Sequence, residues 1–600
     1  MSEPNADDAG PAPWWRMRGL ADRARRASGT VSRRRPQLLS AGASELRQLV
    51  SRSREVVVFS AIVGVVTGLG VALFETVTAD EMLDAILRQT DWVVVLAPLL
   101  GLAITAVIVR YRTYGTGVGT TDAYIQAIPE PDAPFDTRPA IGRILASIAT
   151  LGFGGSMGFE GPSMYLGSAF GAWSADRLRR FAASMDRRTL VVAGAAAGVA
   201  AIFKAPATGA VFALEVPYQE DLVRKGVLPA LVGAATGYVA FVSIKGTEPL
   251  VPVAGNPPIG LVQIGVAVLV GLLCGVGARM FAWVVRHAKR LSVGASPLVR
   301  VPVSGAVLAV LTVVSLAAFD HEPLSLGPGF RSIEWALDPS RSLWLIALLA
   351  TIRVLATSAT LTGGGVGGLF VPLVVQGALT GRLVSGMFAT SNESLMVVVG
   401  IAAFLGAGYR VPLAAVMFVA EATGRPGFVV PGLLAAVAAQ LVMGSQSVSA
   451  YQRGSSEGHL EDRAELPIAS VVSTDSATAD PDSTVEEYFA EHVVLARRDA
   501  SPVVRDGRYE GLVTLSDLLA LDPETWSTTR LADIARRDLP TAAPDWTVGR
   551  ALDAMIRADL RHLPVVDSAG ELRGVVTAQA ILDLESLLDR LTPTDPRQET

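Results

Sequence analysis

A glycine-rich stretch with a single carboxylate constrains this chain more than any other part of it. Residues 154–162 read Gly-Gly-Ser-Met-Gly-Phe-Glu-Gly-Pro and lie between long apolar segments. We therefore expect the stretch at membrane depth, where a carboxylate is costly and usually functional. Gly permits backbone conformations that other residues avoid, and Pro favours the first turn of a helix. The pattern predicts a loop leading into a helix that begins near Gly161, with Glu160 at an N-terminus whose free N–H groups also attract anions.

A second stretch repeats this pattern. Residues 364–372 again combine runs of Gly with a final Pro, and Pro372 follows Pro162 by 210 positions. Two Pro-to-Glu segments, 206–215 and 412–421, match each other at an offset of 206 positions. Interrupted apolar segments at matching places in two halves are typical of a transporter built from repeats, with its site near the membrane midplane.

Composition divides the chain into an apolar region and a soluble tail. Of the 600 residues, 50% are hydrophobic and 18% are charged, with a mean hydropathy of +0.42. These values are too apolar for a soluble enzyme and too charged for membrane spans alone. The single cysteine, Cys274, excludes an internal disulfide framework. We see no metal-ligand cluster, phosphate loop or nucleophile triad, so we expect neither an enzyme nor a metal site.

The N-terminal region predicts the orientation of the protein. Residues 1–54 are polar and rich in Arg, without the apolar core of a signal peptide. Positive charge before a first span normally stays in the cytoplasm, which is a simpler explanation than nucleic-acid binding. The following region, 55–450, would form a transmembrane domain with halves at about 55–250 and 260–450. Its apolar segments are uneven in length, which indicates tilted and broken helices.

The tail contains a second internal repeat. After a polar linker at 451–465, each copy reads as a strand, a turn, a strand and a helix, and Gly511 and Gly574 mark the two copies. We place the first copy at 466–522 and the second at 530–590.

These motifs resemble those of the CLC chloride channels and transporters. Gly158-Phe159-Glu160-Gly161-Pro162 is similar to the family's Gly-Arg-Glu-Gly-Pro, residues 368–372 to Gly-Ile-Phe-x-Pro, and residues 115–119 to Gly-Ser-Gly-Ile-Pro. The tail resembles a tandem pair of CBS domains. The resemblance implies an all-α polytopic membrane protein, a CLC-type inverted repeat of tilted, broken helices, followed by a small α/β CBS pair.

The resemblance also implies the residues of an anion site. In the family, backbone N–H groups, a Ser hydroxyl and a Tyr hydroxyl hold chloride, and Thr116 can replace the Ser because its hydroxyl also donates. The family's Tyr corresponds here to either Ser449 or Tyr451. The chloride-binding residues expected on this basis are Thr116, Gly117, Gly161, Leu369, Phe370, Ser449 and Tyr451.

Glu160 is the expected gate, and Val216 bears on the mechanism. An ionised Glu160 would block an anion site, and a protonated one would swing aside. Family members that exchange chloride for protons usually carry Glu at the position of Val216, whereas channels often carry Val. Val216 therefore favours a channel, although Glu220 or Asp221 could relay protons by another path. Glu215 and Glu421 are expected to cap helices or form ion pairs.

The CBS pair implies a nucleotide site. Such pairs commonly bind adenosine nucleotides, and Thr514 and Asp517 match the positions that hold the ribose. The second copy has Ala580 where the first has Asp517, so we expect at most one ribose site. A folded regulatory lid without a ligand explains the tail equally well.

We therefore predict a homodimeric chloride transporter of channel type in the cell membrane, with both termini in the cytoplasm. It would bind chloride and lipid, require no cofactor and bind no nucleic acid. A chloride/proton antiporter is the first alternative. A membrane-anchored nucleotide sensor with an inactive pore is an alternative from a different class.

Overall fold

The structure, a computed structural model, forms two compact units, Met1–Gln452 and Arg453–Thr600. The basic arm 1–53 and most of the predicted linker lie outside the residues that the structure describes. The described residues are 54–113, 117–129, 135–178, 186–219, 221–223, 226–251, 260–388, 393–453, 466–473, 477–496, 498–558, 560–581 and 583–584.

The first unit is helical throughout its described residues. Eight of its helices are long and apolar enough to cross a membrane, and shorter ones lie between them. The helices are α1 (Arg54–Leu87), α2 (Asp91–Arg112), α3 (Thr121–Ala127), α4 (Ala140–Gly152), α5 (Glu160–Leu178), α6 (Arg187–Phe203), α7 (Pro206–Glu215), α8 (Val227–Lys245), α9 (Leu261–Gly294), α10 (Pro297–Ala318), α11 (Phe330–Ala336), α12 (Leu343–Thr362), α13 (Phe370–Met387), α14 (Glu393–Tyr409), α15 (Pro412–Thr423) and α16 (Val429–Met443).

Matching glycines bring helices together in both halves. Gly167 on α5 and Gly194 on α6 face each other so closely that a Cβ on either would overlap the other's carbonyl oxygen. Gly377 on α13 and Gly400 on α14 repeat this arrangement in the second half. Small residues allow such close approach of membrane helices. The sequence repeat therefore corresponds to a repeated helix crossing.

The two glycine-rich loops meet where the halves join. Gly158 and Gly368 exchange backbone hydrogen bonds in both directions, at 2.9 and 2.8 Å. On either side of this pair, the Ser156 N–H donates to the Thr360 hydroxyl at 3.1 Å and the Val366 N–H donates to the Thr150 hydroxyl at 3.0 Å. These reciprocal contacts are those of an approximate two-fold axis between the loops. They place the first turns of α5 and α13 side by side.

The Pro-to-Glu segments form a second reciprocal pair. The Glu215 carboxylate, at the end of α7, accepts from the backbone N–H groups of Leu413 and Ala414 at the start of α15. The Glu421 carboxylate on α15 accepts from the N–H groups of Ala207 and Thr208 at the start of α7. Each helix thus carries the N-terminal cap of the other, as expected for caps.

The second unit contains the two predicted strand–turn–strand–helix copies. In the first copy, β1 (Ala500–Arg505) pairs antiparallel with β2 (Arg508–Thr514), and α18 (Leu515–Leu519) follows. In the second, β3 (His562–Val566) pairs antiparallel with β4 (Leu572–Thr577). Before these hairpins lie α17 (Val485–Tyr488) and α20 (Val548–Arg557), and α19 (Leu531–Ile534) lies between the copies. The alternating apolar pattern predicted this arrangement because each strand buries its central residues.

Candidate functional site

Glu160 is the centre of the candidate site. It is the first residue of α5, and only 1% of its surface is exposed. Its Oε1 accepts a hydrogen bond of 2.6 Å from the Phe370 N–H, at the start of α13. The carboxylate from one half therefore caps a helix of the other half. Helix N-termini favour negative charge, so the same position suits a mobile anion.

Two glycines make room for this carboxylate. A Cβ on Gly158 would overlap Glu160 Oε2, and a Cβ on Gly368 would overlap Oε1. Oε2 is fully buried and has no protein hydrogen-bond partner in the described part of the chain. The glycine motifs thus form a seat for a negatively charged group and leave one of its oxygens without a protein donor.

Leu369, Phe370 and Gly161 lie around Glu160, as the sequence predicted for an anion site. Leu369 is the N-cap residue of α13, and Phe370 supplies the N–H group described above. The Phe370 ring packs against Phe203 and Phe418, with ring centroids at 4.3 and 5.0 Å, which fixes the first turn of α13. Gly161 is buried one residue beyond Glu160, so α5 begins one residue earlier than predicted.

The third predicted helix start lies elsewhere in the chain. Helix α3 begins at Thr121, Gly117 is exposed, and Thr116 lies outside the described residues. Thr120 approaches the site instead, because its Oγ1 would lie 2.5 Å from a Cβ on Gly161. A helix start that is shifted toward Ala127 accounts for this change of threonine.

Neither predicted substitute for the family's tyrosine reaches Glu160. The Ser449 hydroxyl donates to Asp122 Oδ1 at 2.9 Å, and Tyr451 is exposed at 36%. Between Gly444 and Gln452 the chain is irregular, so these side chains do not follow the direction that a helix would impose.

Tyr409 supplies the buried phenol that sequence reasoning missed. It ends α14, is 2% exposed, and its hydroxyl is hydrogen-bonded at the Leu369 backbone beside the Thr121 side chain. The Glu160 charge acts on the same hydroxyl. The available sequence signal was a lone Tyr at the end of a Gly- and Ala-rich apolar helix, followed by the repeated Pro motif.

The side of the site near Val216 is closed by an amide. Val216 is fully buried, and Gln452 Nε2 donates to the carbonyl oxygens of Val216 and Tyr409 at 2.9 and 2.7 Å. The alternative relay candidates are also accounted for. Glu215 caps α15, Asp221 Oδ1 accepts from the Leu222 N–H at 2.7 Å, and Glu220 lies outside the described residues.

A buried guanidinium holds the loop that precedes α11. Arg353 on α12 is 1% exposed and donates to the carbonyl oxygens of Leu324, Leu326, Gly327 and Pro328. The Gly327 N–H in turn donates to the Gly154 carbonyl oxygen at 3.0 Å. The loop bearing Glu160 is therefore anchored to this segment, and Arg353 is a structural cation whose partners are backbone carbonyls.

The candidate nucleotide residues occupy a helix start in the second unit. Asp517 Oδ2 accepts from the Thr514 N–H at 2.8 Å and from the Thr514 hydroxyl at 2.7 Å, which forms a capping box on α18. In the second copy, the Ala580 N–H donates to Thr577 Oγ1, and no carboxylate stands at this position.

Comparison with known families agrees with this geometry. The sequence profile of the voltage gated chloride channel family matches residues 100–444. The chain belongs to this family, the CLC family. The CBS domain profile matches twice in the tail, at 468–524 and 531–586. The protein is therefore a multi-pass CLC membrane protein with tandem CBS domains.

Curated CLC relatives of this chain are named as exchangers. An H(+)/Cl(-) exchange transporter ClcA from Citrobacter koseri is 26% identical over 425 residues, which are 66% of this chain and 88% of that protein. A ClcA from Salmonella paratyphi A is 24% identical over 424 residues, again 66% of this chain and 88% of that protein.

Solved structures show the same fold. A slow cyanobacterial Cl−/H+ antiporter aligns with a TM-score of 0.58 at 20% identity, over 65% of this chain and 94% of that one. A CLC-type fluoride/proton antiporter aligns with a TM-score of 0.56 at 20% identity, over 67% of this chain and 98% of that one.

Proposed function

We propose that this CLC protein moves chloride across a membrane in exchange for protons, with Glu160 as the gate. The observation that carries the proposal is the position of the Glu160 carboxylate, which is buried in a glycine seat and caps α13 from the opposite half. A charged group in this seat takes the place that an anion would take. Chloride and the carboxylate would therefore compete for the same N–H group.

Protonation changes the outcome of that competition. A neutral carboxyl group interacts less favourably with a helix N-terminus than a carboxylate does, so a protonated Glu160 would leave the seat more readily. The vacated N–H groups at Leu369 and Phe370 would then accept chloride, with Tyr409 as the neighbouring hydroxyl donor. One side chain would thus carry the proton and control the anion.

A channel is the second candidate. Val216 has no ionisable group, and the sequence analysis favoured a channel for this reason. Two findings favour the exchanger. The curated relatives are named H(+)/Cl(-) exchange transporters, and two of the aligned structures are described as proton antiporters. The Val216 position alone therefore does not decide between the mechanisms.

Proton movement in proteoliposomes distinguishes the two mechanisms. Vesicles loaded with chloride would be diluted into weakly buffered medium of low chloride, with an ionophore that dissipates the membrane potential. We expect chloride efflux to drive proton uptake against the proton gradient, seen as a rise in external pH that a protonophore abolishes. Glu160→Gln should lose the proton uptake. Chloride efflux without proton movement in the wild-type protein would support the channel.

Assembly and regulation extend the proposal. We infer a homodimer in the cell membrane with both termini in the cytoplasm. Supporting this, α16 presents exposed apolar side chains, including Val437 and Leu441, that lipid or a second copy can cover. An adenine nucleotide at Asp517 and Thr514 would make the CBS pair a sensor. If chloride flux were absent while the nucleotide bound, the inactive-pore alternative would replace transport.

A further inference from the structure

Proton exchange requires a titratable group on the Val216 side of the pore, and this requirement rests on the function proposed above. The usual position holds Val216, beside which Gln452 supplies an amide that does not titrate at working pH. Glu215 and Glu421 use their carboxylates as reciprocal helix caps. A proton path must therefore use another group.

Asp122, in the first turn of α3, has the geometry for this role. Its Oδ1 accepts from the Ser449 hydroxyl at 2.9 Å, and its Oδ2 pairs with the Lys289 ammonium of α9 at 2.7 Å. Ser449 precedes Gln452 by three residues, so Asp122 lies on the same side of the pore as Val216. The Asp122 side chain is 16% exposed, which lets water reach it.

Hydroxyl groups lie between Asp122 and the gate. The Tyr409 hydroxyl lies beside the Thr121 side chain and within the electrostatic reach of both Asp122 and Glu160. The Thr120 hydroxyl lies against Gly161, is buried, and has no protein hydrogen-bond partner in the part of the chain that the structure describes. Hydroxyls both donate and accept, so they can pass protons directly or through water.

We propose that Asp122 is the proton acceptor on the Val216 side of the pore and exchanges protons with Glu160. In one cycle, the Asp122 carboxylate takes a proton from water. That proton moves along the hydroxyls to the Glu160 carboxylate, and Asp122 becomes ionised again. The reverse sequence releases a proton from Glu160 to the same side. No bond other than O–H forms or breaks, and no other reactant is consumed.

A purely structural role for the same contacts makes a different prediction. The Asp122–Lys289 ion pair joins α3 to α9, and losing either partner would break this link equally. A proton acceptor, in contrast, is lost only when the carboxylate is lost. The charged and titratable groups that bear on Asp122 are Lys289 from α9, Tyr409 from α14 and Glu160 from α5. Removing Lys289 leaves the carboxylate and removes its counter-ion.

The test compares four proteins, the wild type, Asp122→Asn, Lys289→Met and Asp122→Glu, in the proteoliposome assay above. Chloride efflux and proton uptake are measured together. We expect Asp122→Asn to retain chloride flux but lose proton uptake by about tenfold or more, the lower end of effects typical of acid–base groups. Lys289→Met should keep proton uptake, with its pH optimum moved upward because the carboxylate has lost a cation. Asp122→Glu should restore it.

Each outcome decides between the proposals. Full proton uptake in Asp122→Asn would overturn the role of Asp122 while leaving the exchanger intact. Equal loss in Asp122→Asn and Lys289→Met would assign the pair a structural role. Absence of proton uptake in the wild-type protein would instead overturn the exchanger itself. If Asp122→Asn does not fold, Asp122→Glu carries the test, since a longer carboxylate should shift the chloride-to-proton ratio only if this group relays protons.

Discussion

Glu160→Gln tests the gate most directly. The substitution keeps the size of the side chain and removes its charge, as protonation does. The Phe370 N–H donates to the carboxylate at 2.6 Å, which is a short, charge-assisted hydrogen bond. We expect an anion flux that no longer depends on external pH, because the group that binds the gating proton is gone.

The structure sets the size of the effect on chloride binding. A hydrogen bond to a charged group contributes about 1.5–3 kcal/mol, and a neutral one contributes about 1 kcal/mol. The seat should therefore hold glutamine less tightly than carboxylate by about 1–2 kcal/mol. Because 1.4 kcal/mol corresponds to a factor of ten, chloride should compete roughly 5- to 30-fold better for the seat. The half-saturating chloride concentration should fall by the same factor.

Chloride efflux from proteoliposomes, recorded with a chloride electrode across a series of external pH values and chloride concentrations, measures both effects. Glu421→Gln is the matched control, because it neutralises a carboxylate that also caps a helix but lies in the α7–α15 pair. It should keep the wild-type pH dependence. A Glu160→Gln protein with wild-type pH dependence would remove Glu160 from the gating role.

Three further predictions concern the glycine seat, the tail and the caps. Gly158→Ala should displace the Glu160 carboxylate and raise chloride flux in the wild-type background but have little effect in Glu160→Ala, because the overlap is with the Glu160 side chain; equal effects in both backgrounds would contradict this. Asp517→Ala should weaken calorimetric binding of an adenine nucleotide to the full-length protein, whereas Thr484→Ala, which disrupts a similar capping box on α17, should not. Glu421→Gln should lower the free energy of unfolding by about 1 kcal/mol, measurable as a lower melting temperature in detergent, because two backbone N–H groups lose a charged acceptor.

Local sequence patterns were enough to predict the repeat and the gate. Gly and Pro act on their own backbone, so the loop before α5, its match before α13 and the position of Glu160 followed from the order of residues. The tail hairpins followed in the same way, from alternating apolar residues and turn glycines. The offset of 210 positions between the motifs appears in the structure as the paired Gly158 and Gly368.

Contacts between distant segments were decided only by tertiary structure. The Tyr409 hydroxyl reaches Leu369, Ser449 bonds to Asp122, and Gln452 closes the space beside Val216. No local rule links such residues, because their separation in the chain is bridged by helix packing alone. The irregular segment after Gly444 also has no periodicity from which side-chain directions follow. For this reason the gate was predictable from its own motif, whereas the groups that surround it became apparent only once the helices were packed.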